Sequence, residues 1–177
     1  MRKALSIVTS TAMTLSAVTW LAAQESKRVS PHEQTSGVIA GKKITIEYGR
    51  PYKKGRKIFG GLEPFGKVWR TGADEATKLT TETDLMIGNI HVPKGTYSLF
   101  TIPDPKQWTL ILNKVADQWG AYKYDQSQDL GRTAMKTETV NQPLEQLTIS
   151  IEPAGGNRGT LKIAWDTTVA TVPIMVH

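Results

Sequence analysis

The sequence contains no cysteine, and its three histidines, His32, His91 and His177, lie far apart. The absence of cysteine excludes disulfide bonds, so the hydrophobic core alone must stabilise the fold. Without cysteine and without clustered histidines, the chain offers no ligand set typical of a protein metal site. We therefore predict neither a metal site nor a bound cofactor.

Signatures of catalysis are also scarce. No serine lies in a nucleophile-elbow pattern, and no glycine-rich phosphate loop leads into a helix. The formal net charge is +6 over 177 residues, and the basic residues are spread along the chain, so nucleic acid is not an expected partner. The sequence favours a non-enzymatic role. A carbohydrate-active hydrolase with Glu75 as its acid or base, together with Asp74, Glu63 or Asp125, is an alternative.

The first residues resemble an export signal. Arg2 and Lys3 precede an apolar run without charge at residues 4–21, and the small residues Ala22 and Ala23 follow it. This order predicts a signal peptide at residues 1–23, cleaved after Ala23. The alternative is an uncleaved anchor, which the marginal length of the run disfavours. We expect a bacterial protein of the periplasm or the cell exterior, with no stable membrane anchor after cleavage.

The length of the mature chain indicates one domain. Cleavage leaves 154 residues (177 − 23) and lowers the net charge from +6 to +4, because Arg2 and Lys3 are removed and no acid is. That length is usual for a single domain. Residues 24–35 are polar and predict a flexible lead-in. Residues 36–177 form the predicted domain.

Alternation of apolar and polar residues with a period of two runs through this domain, and no long helical pattern interrupts it. Ile44, Ile46 and Tyr48 alternate with polar residues, and Gly88-Asn89 marks a two-residue hairpin. Further strands are predicted at residues 77–83, 96–102, 108–113, 132–139, 146–152, 160–166 and 169–176. Short strands separated by turn signals favour an antiparallel sandwich or barrel. We predict an all-β fold, a single antiparallel β-sandwich with long loops.

Three loop segments interrupt the alternation and carry the candidate site. Residues 50–57 hold five cations within eight residues, residues 69–75 combine Trp69 and Arg70 with acids, and residues 113–125 hold several aromatic side chains. Arginine and lysine bind carboxylate, sulfate or phosphate groups, and aromatic faces stack on sugar rings. We predict a surface that binds an anionic small molecule or an envelope glycan. Its candidate ligand-binding residues are Arg50, Lys54, Arg56, Trp69, Arg70, Glu75, Asn113, Trp119 and Tyr122.

Structural roles for the same residues stay open from the sequence. Arg50 or Arg70 could form internal pairs with Glu75, Asp74 or Glu63, because such pairs are common structural devices. Residues 71–73 leave room for a turn that would bring Arg70 and Glu75 together. A third functional alternative is an assembly or protein-interaction factor of the envelope. Its contact surface would be residues 50–57, which we call the basic loop.

Several motifs together give this chain a family resemblance. They are YGRP at residues 48–51, KGR at 54–56, IFG at 58–60, VWRTGADEAT at 68–77, PKGTYSLFTIP at 93–103, WTLILN at 108–113 and QWGAY at 118–122. The chain resembles a family of exported bacterial proteins, number 2911 among the domains of unknown function, over about residues 30 to 175. One departure is Asp74, where the family motif usually has asparagine. The resemblance implies an exported, mostly β domain and supplies no reaction.

Overall fold

The computed structural model describes residues 30–177 and forms an antiparallel all-β fold. The predicted signal peptide, with its cleavage site, lies outside the described residues. The strands are β1 (His32–Ile39), β2 (Lys42–Gly49), β3 (Ala73–Thr81), β4 (Leu85–Ile87), β5 (Ile90–Val92), β6 (Gly95–Ile102), β7 (Trp108–Asn113), β8 (Asp129–Pro153) and β9 (Arg158–Val176). A single turn of 3-10 helix, Gln126–Gln128, precedes β8. Within residues 30–177, no helix has the length and apolarity that a membrane span requires. The predicted all-β antiparallel fold is confirmed.

All nine strands join in one open sheet, in the order β1-β2-β3-β6-β7-β8-β9-β4-β5. The long strand β8 connects two parts of this sheet, β1-β2-β3-β6-β7 on one side and β9-β4-β5 on the other. Its Met135 pairs with Trp108 of β7, and from Lys136 onward it pairs with β9. The two parts face each other, since the Tyr48 hydroxyl of β2 accepts a hydrogen bond from the Ile149 amide of β8 at 3.2 Å. The sheet therefore folds over itself and encloses a core between two layers.

The alternation seen in the sequence determines which side chains enter this core. Ile44, Ile46 and Tyr48 of β2 are buried, while the residues between them are only partly covered. On the facing layer, Leu147 and Ile149 of β8 are buried in the same cluster. Side chains at every second position of a strand share one face, so a period of two places these apolar groups together.

The structure differs from the predicted strand boundaries in several places. Strand β3 lies at Ala73–Thr81 instead of residues 77–83, and residues 160–166 and 169–176, predicted as separate strands, belong to the continuous strand β9. Residues 132–139 and 146–152, predicted as separate strands, belong to the continuous strand β8, whose register shifts between Thr139 and Leu144 and again before Thr148. In addition, β1 begins at His32, so the end of the predicted lead-in is part of the sheet. Its polar composition suits an edge strand with one exposed face, and it therefore lacks the apolar alternation that predicts the other strands.

Two glycines allow the loops around the candidate site to cross. A Cβ atom at Gly49 would collide with the carbonyl group of Ala73, and one at Gly72 would lie 2.9 Å from the Gly49 carbonyl oxygen. Gly49 ends β2 and Ala73 begins β3, and the two residues pair across a register shift. The close backbone approach brings the loop that follows β2 beside the loop that precedes β3.

Candidate functional site

The crossing of these two loops creates a cleft of about 270 Å³. We call this space the basic cleft, and its charged lining consists of Lys54, Arg56, Glu63, Arg70 and Asp74. Tyr52, Leu62 and Trp165 contribute apolar surface to it. Three of the nine residues predicted to bind a ligand, Lys54, Arg56 and Arg70, therefore meet in one place.

Arg70 and Asp74 carry buried polar atoms that are not satisfied within the described part of the chain. The Arg70 Nε atom and the Asp74 Oδ2 atom are both shielded from solvent and have no hydrogen-bond partner among residues 30–177. Most buried polar atoms in folded proteins have such a partner. Two residues that line the same cleft thus carry a buried donor and a buried acceptor without partners among residues 30–177.

Lys54 and Arg56 come from the basic loop and are held by hydrogen bonds of its backbone and side chains. The Lys54 amide donates to the Glu145 carboxylate at 2.8 Å. Arg56 donates to the carbonyl oxygens of Lys53 and Tyr52, at 2.9 and 2.5 Å. Both residues are exposed and line the cleft, so they contribute positive charge to it.

The sequence indicates Glu63 only as a possible partner of the arginines or as a member of a hydrolase pair with Glu75. The structure places it in the cleft, where burial raises the pKa of its carboxyl group to about 7 although the charges of Arg70 and Arg56 act to lower it. A perturbed carboxyl group in a cleft is a frequent feature of functional sites. The signal available in the sequence was a lone acid between Leu62 and Pro64.

Backbone strain coincides with this cleft. Lys54 has φ of 49° and Asp74 has φ of 62°, in the left-handed region that side chains rarely occupy. Aspartate tolerates this region better than most residues, whereas lysine does not. Strained residues persist where the surrounding structure holds them, and they cluster at binding sites and active sites.

Arg50, by contrast, is fully engaged inside the protein. Its Nε atom donates to the Leu147 carbonyl oxygen at 2.9 Å, and its other nitrogens bond Glu33 at 2.9 Å and the Thr148 hydroxyl at 3.2 Å. These contacts join β1 and the basic loop to β8. Arg50 therefore forms an ion pair, but its carboxylate is Glu33 and not Glu75, Asp74 or Glu63, the partners considered from the sequence.

Trp69 lies in the core, where only 3% of its surface is exposed. Its ring stacks on Trp165 with centroids 6.0 Å apart and contacts Phe59 and Trp108 edge-on. Two backbone hydrogen bonds to Thr101 fix its position. Because Trp165 lines the basic cleft, Trp69 packs against one of the residues that form its wall.

Glu75 lies outside the lining of the basic cleft, to which Arg70 belongs. Glu75 faces a smaller space with His32 and Lys78, and its carboxylate lies 4.0 Å from the His32 Nδ1 atom. Arg70 and Asp74 line the basic cleft. Adjacent residues of a strand point to opposite faces, which explains why Asp74 and Glu75 separate.

The loop that follows β7 is organised by Asn113, which is fully buried. Its amide nitrogen donates to Asp125 and Asp129, and its carbonyl oxygen accepts from Val115 and Gln118, at 2.9 to 3.2 Å. This loop continues into two exposed aromatic residues, Trp119 at 59% and Tyr122 at 81% exposure. They lie outside the lining of the basic cleft.

No group of three or more potential metal-ligating side chains comes together among residues 30–177. Residues 30–174 match a family model described as a protein of unknown function, DUF2911, and the chain belongs to this family. The resemblance read from the motifs is thereby confirmed. No curated protein and no solved structure matches the chain.

Proposed function

We propose that this member of the DUF2911 family is an exported domain of the bacterial cell envelope that binds a small anionic ligand in the basic cleft. The observation that carries the proposal is the buried Arg70 Nε atom, which has no hydrogen-bond partner among residues 30–177. An unsatisfied buried donor costs about 1–3 kcal/mol. A ligand oxygen placed against Arg70 would remove this cost.

The charges around the cleft favour an anion. Three cations, Lys54, Arg56 and Arg70, face two acids, Glu63 and Asp74. Since the pKa of Glu63 is raised to about 7, its carboxyl group is partly neutral near pH 7. The excess of positive charge would attract a carboxylate or phosphate, and the arginine fork would bind it with directed hydrogen bonds.

A second candidate is a protein-interaction role, which the exposed side chains of Trp119 and Tyr122 favour. Exposed aromatic residues are enriched where proteins contact one another. For the hydrolase alternative, Glu75 lies outside the cleft that Glu63 and Asp74 share, so the acid or base named for it does not join them there.

We expect Arg70→Ala to weaken binding of a small acid by about tenfold or more, since a hydrogen bond to a charged group contributes about 1.5–3 kcal/mol. Thermal-shift screening with inorganic phosphate, glucuronate and cyclohexanecarboxylate would identify a bound acid. A ligand at a hundred times its dissociation constant stabilises the folded state by about 2.7 kcal/mol. Calorimetric titration would then measure the loss of affinity in the variant.

Arg50→Met is the matched control, because it removes the same charge from a neighbouring loop position. We expect it to lower the free energy of unfolding by about 1–2 kcal/mol, through loss of the contacts to Leu147 and Thr148, without changing affinity for the acid. Equal affinity of Arg70→Ala and the wild type would overturn the proposal. A protein partner lost in Trp119→Ala and retained in Arg70→Ala would support the interaction role instead.

Localisation has its own test. Because Arg2, Lys3, the apolar run and Ala22-Ala23 have the order of a signal peptide, the exported protein should begin at Gln24. Amino-terminal sequencing of the protein from the periplasmic and medium fractions of a bacterial host checks this. An uncut chain retained in the cytoplasm would contradict it.

A further inference from the structure

We propose that the ligand of the basic cleft is a single sugar-like ring that carries an anionic group for Arg70 and hydroxyl donors for Asp74. This inference rests on the proposed function and specifies its ligand. It starts from the observation that the cleft contains an unsatisfied acceptor as well as an unsatisfied donor within the described residues.

Asp74 indicates that the ligand carries hydrogen-bond donors in addition to its anionic group. A simple anion would satisfy Arg70 Nε and leave the Asp74 Oδ2 atom buried without a donor. A ligand hydroxyl group solves this problem, because it donates to the carboxylate and adds no further charge.

Hydroxyl donors suit this cleft better than an ammonium group does. The ammonium would enter a space already lined by the cations Lys54, Arg56 and Arg70. Like charges disfavour each other at short range, whereas hydroxyl groups meet no such penalty. Glu63 adds a further carboxyl group to the same lining and offers a second acceptor.

The size and walls of the cleft suit one ring. Its volume of 270 Å³ lies just under the range of about 300–1,000 Å³ that holds drug-sized ligands. Tyr52, with 40% of its surface exposed, and Leu62, with 43% exposed, provide apolar surface. An isolated bridge to Gln146 fixes the backbone of Tyr52. An aromatic face can cover the apolar face of a sugar ring while the hydroxyl groups point to the carboxylates.

The test compares ring acids of similar size in the purified protein by calorimetric titration. We expect glucuronate to bind about tenfold or more tighter than cyclohexanecarboxylate, because only glucuronate can donate to Asp74. Glucose, which lacks the anionic group, should also bind about tenfold or more weaker than glucuronate. Glucose 6-phosphate in parallel shows whether carboxylate or phosphate is the preferred anion.

Asp74→Gly removes the carboxylate and keeps the backbone conformation, because glycine adopts a φ of 62° without strain. We expect this variant to bind glucuronate and cyclohexanecarboxylate with similar affinity. If Asp74→Gly fails to fold, Asp74→Asn replaces it, since asparagine also tolerates this φ. Asp74→Asn should reduce the ratio of the affinities for glucuronate and cyclohexanecarboxylate. A preference for glucuronate that survives in the folded variant would overturn the role of Asp74.

Equal binding of the two ring acids by the wild type would overturn the inference about the ligand and leave the anion site intact. Absence of binding by every acid tested would overturn the proposed function itself. Dependence of glucuronate affinity on both Arg70 and Asp74, but not on Arg50, would support the whole assignment.

Discussion

Trp69→Ala should lower the free energy of unfolding by about 3–5 kcal/mol, the usual cost of truncating a large aromatic residue in a core. Trp69 is 3% exposed and contacts three aromatic rings, Phe59, Trp108 and Trp165, at centroid distances of 5.7, 6.1 and 6.0 Å. Alanine would remove these contacts and leave a cavity that a close-packed core fills only in part. Urea unfolding followed by circular dichroism measures the change.

Trp119→Ala is the control for this prediction, because the same side chain is removed from a position with 59% exposure. We expect its free energy of unfolding to stay within about 0.5 kcal/mol of the wild type, as for most surface substitutions. A small loss in Trp69→Ala would mean that the aromatic cluster contributes little packing energy.

The strands could be predicted from the sequence because their signal is local. Ile44, Ile46 and Tyr48 display the alternation of a half-buried strand within five residues, and the Gly88-Asn89 turn connects β4 and β5 as its dipeptide indicates. The polar edge strand β1 offers no such alternation. For the same reason, the sequence predicts a flexible lead-in over its first residues.

The contacts of the arginines could not be predicted, because their partners are remote in the chain. Arg50 bonds Thr148, which is 98 residues away, and only the folding of β8 over β2 brings the two together. Arg70 belongs to an equally conspicuous motif, yet its Nε atom has no partner within residues 30–177. The sequence pattern predicts that both arginines lie in loops. Only the tertiary structure shows that Arg50 has hydrogen-bond partners for its side chain, whereas the Arg70 Nε atom has none within residues 30–177.

Glu63 illustrates the same limit for ionisation. Its neighbours Leu62 and Pro64 give no indication of burial, and both are exposed. The shift of its pKa comes from the cleft that the basic loop and the start of β3 form around it. Desolvation of a carboxylate is a property of the folded surroundings, and residue order alone does not reveal it.

Glu63→Gln should therefore stabilise the protein at alkaline pH relative to the wild type. Burial raises the pKa of Glu63 from 4.5 to about 7, so between these values the native state holds a proton that the unfolded state has released. The stability that this group contributes is present below pH 4.5 and is lost as the pH rises through about 7. The full shift corresponds to about 3 kcal/mol, and solvent screening of this half-buried group reduces the expected effect to about 2 kcal/mol.

Urea unfolding of the wild type and Glu63→Gln at about pH 5 and about pH 8 measures this contribution, because the difference between the two proteins cancels the titration of all other groups. We expect the variant to gain about 2 kcal/mol on the wild type between the two conditions. Glu82→Gln is the matched control at an exposed position and should show no such gain. A constant difference between wild type and Glu63→Gln would show that Glu63 is as well solvated in the folded cleft as in the unfolded chain. The cleft would then not exclude water, and Arg70 would bind anions less strongly than we propose.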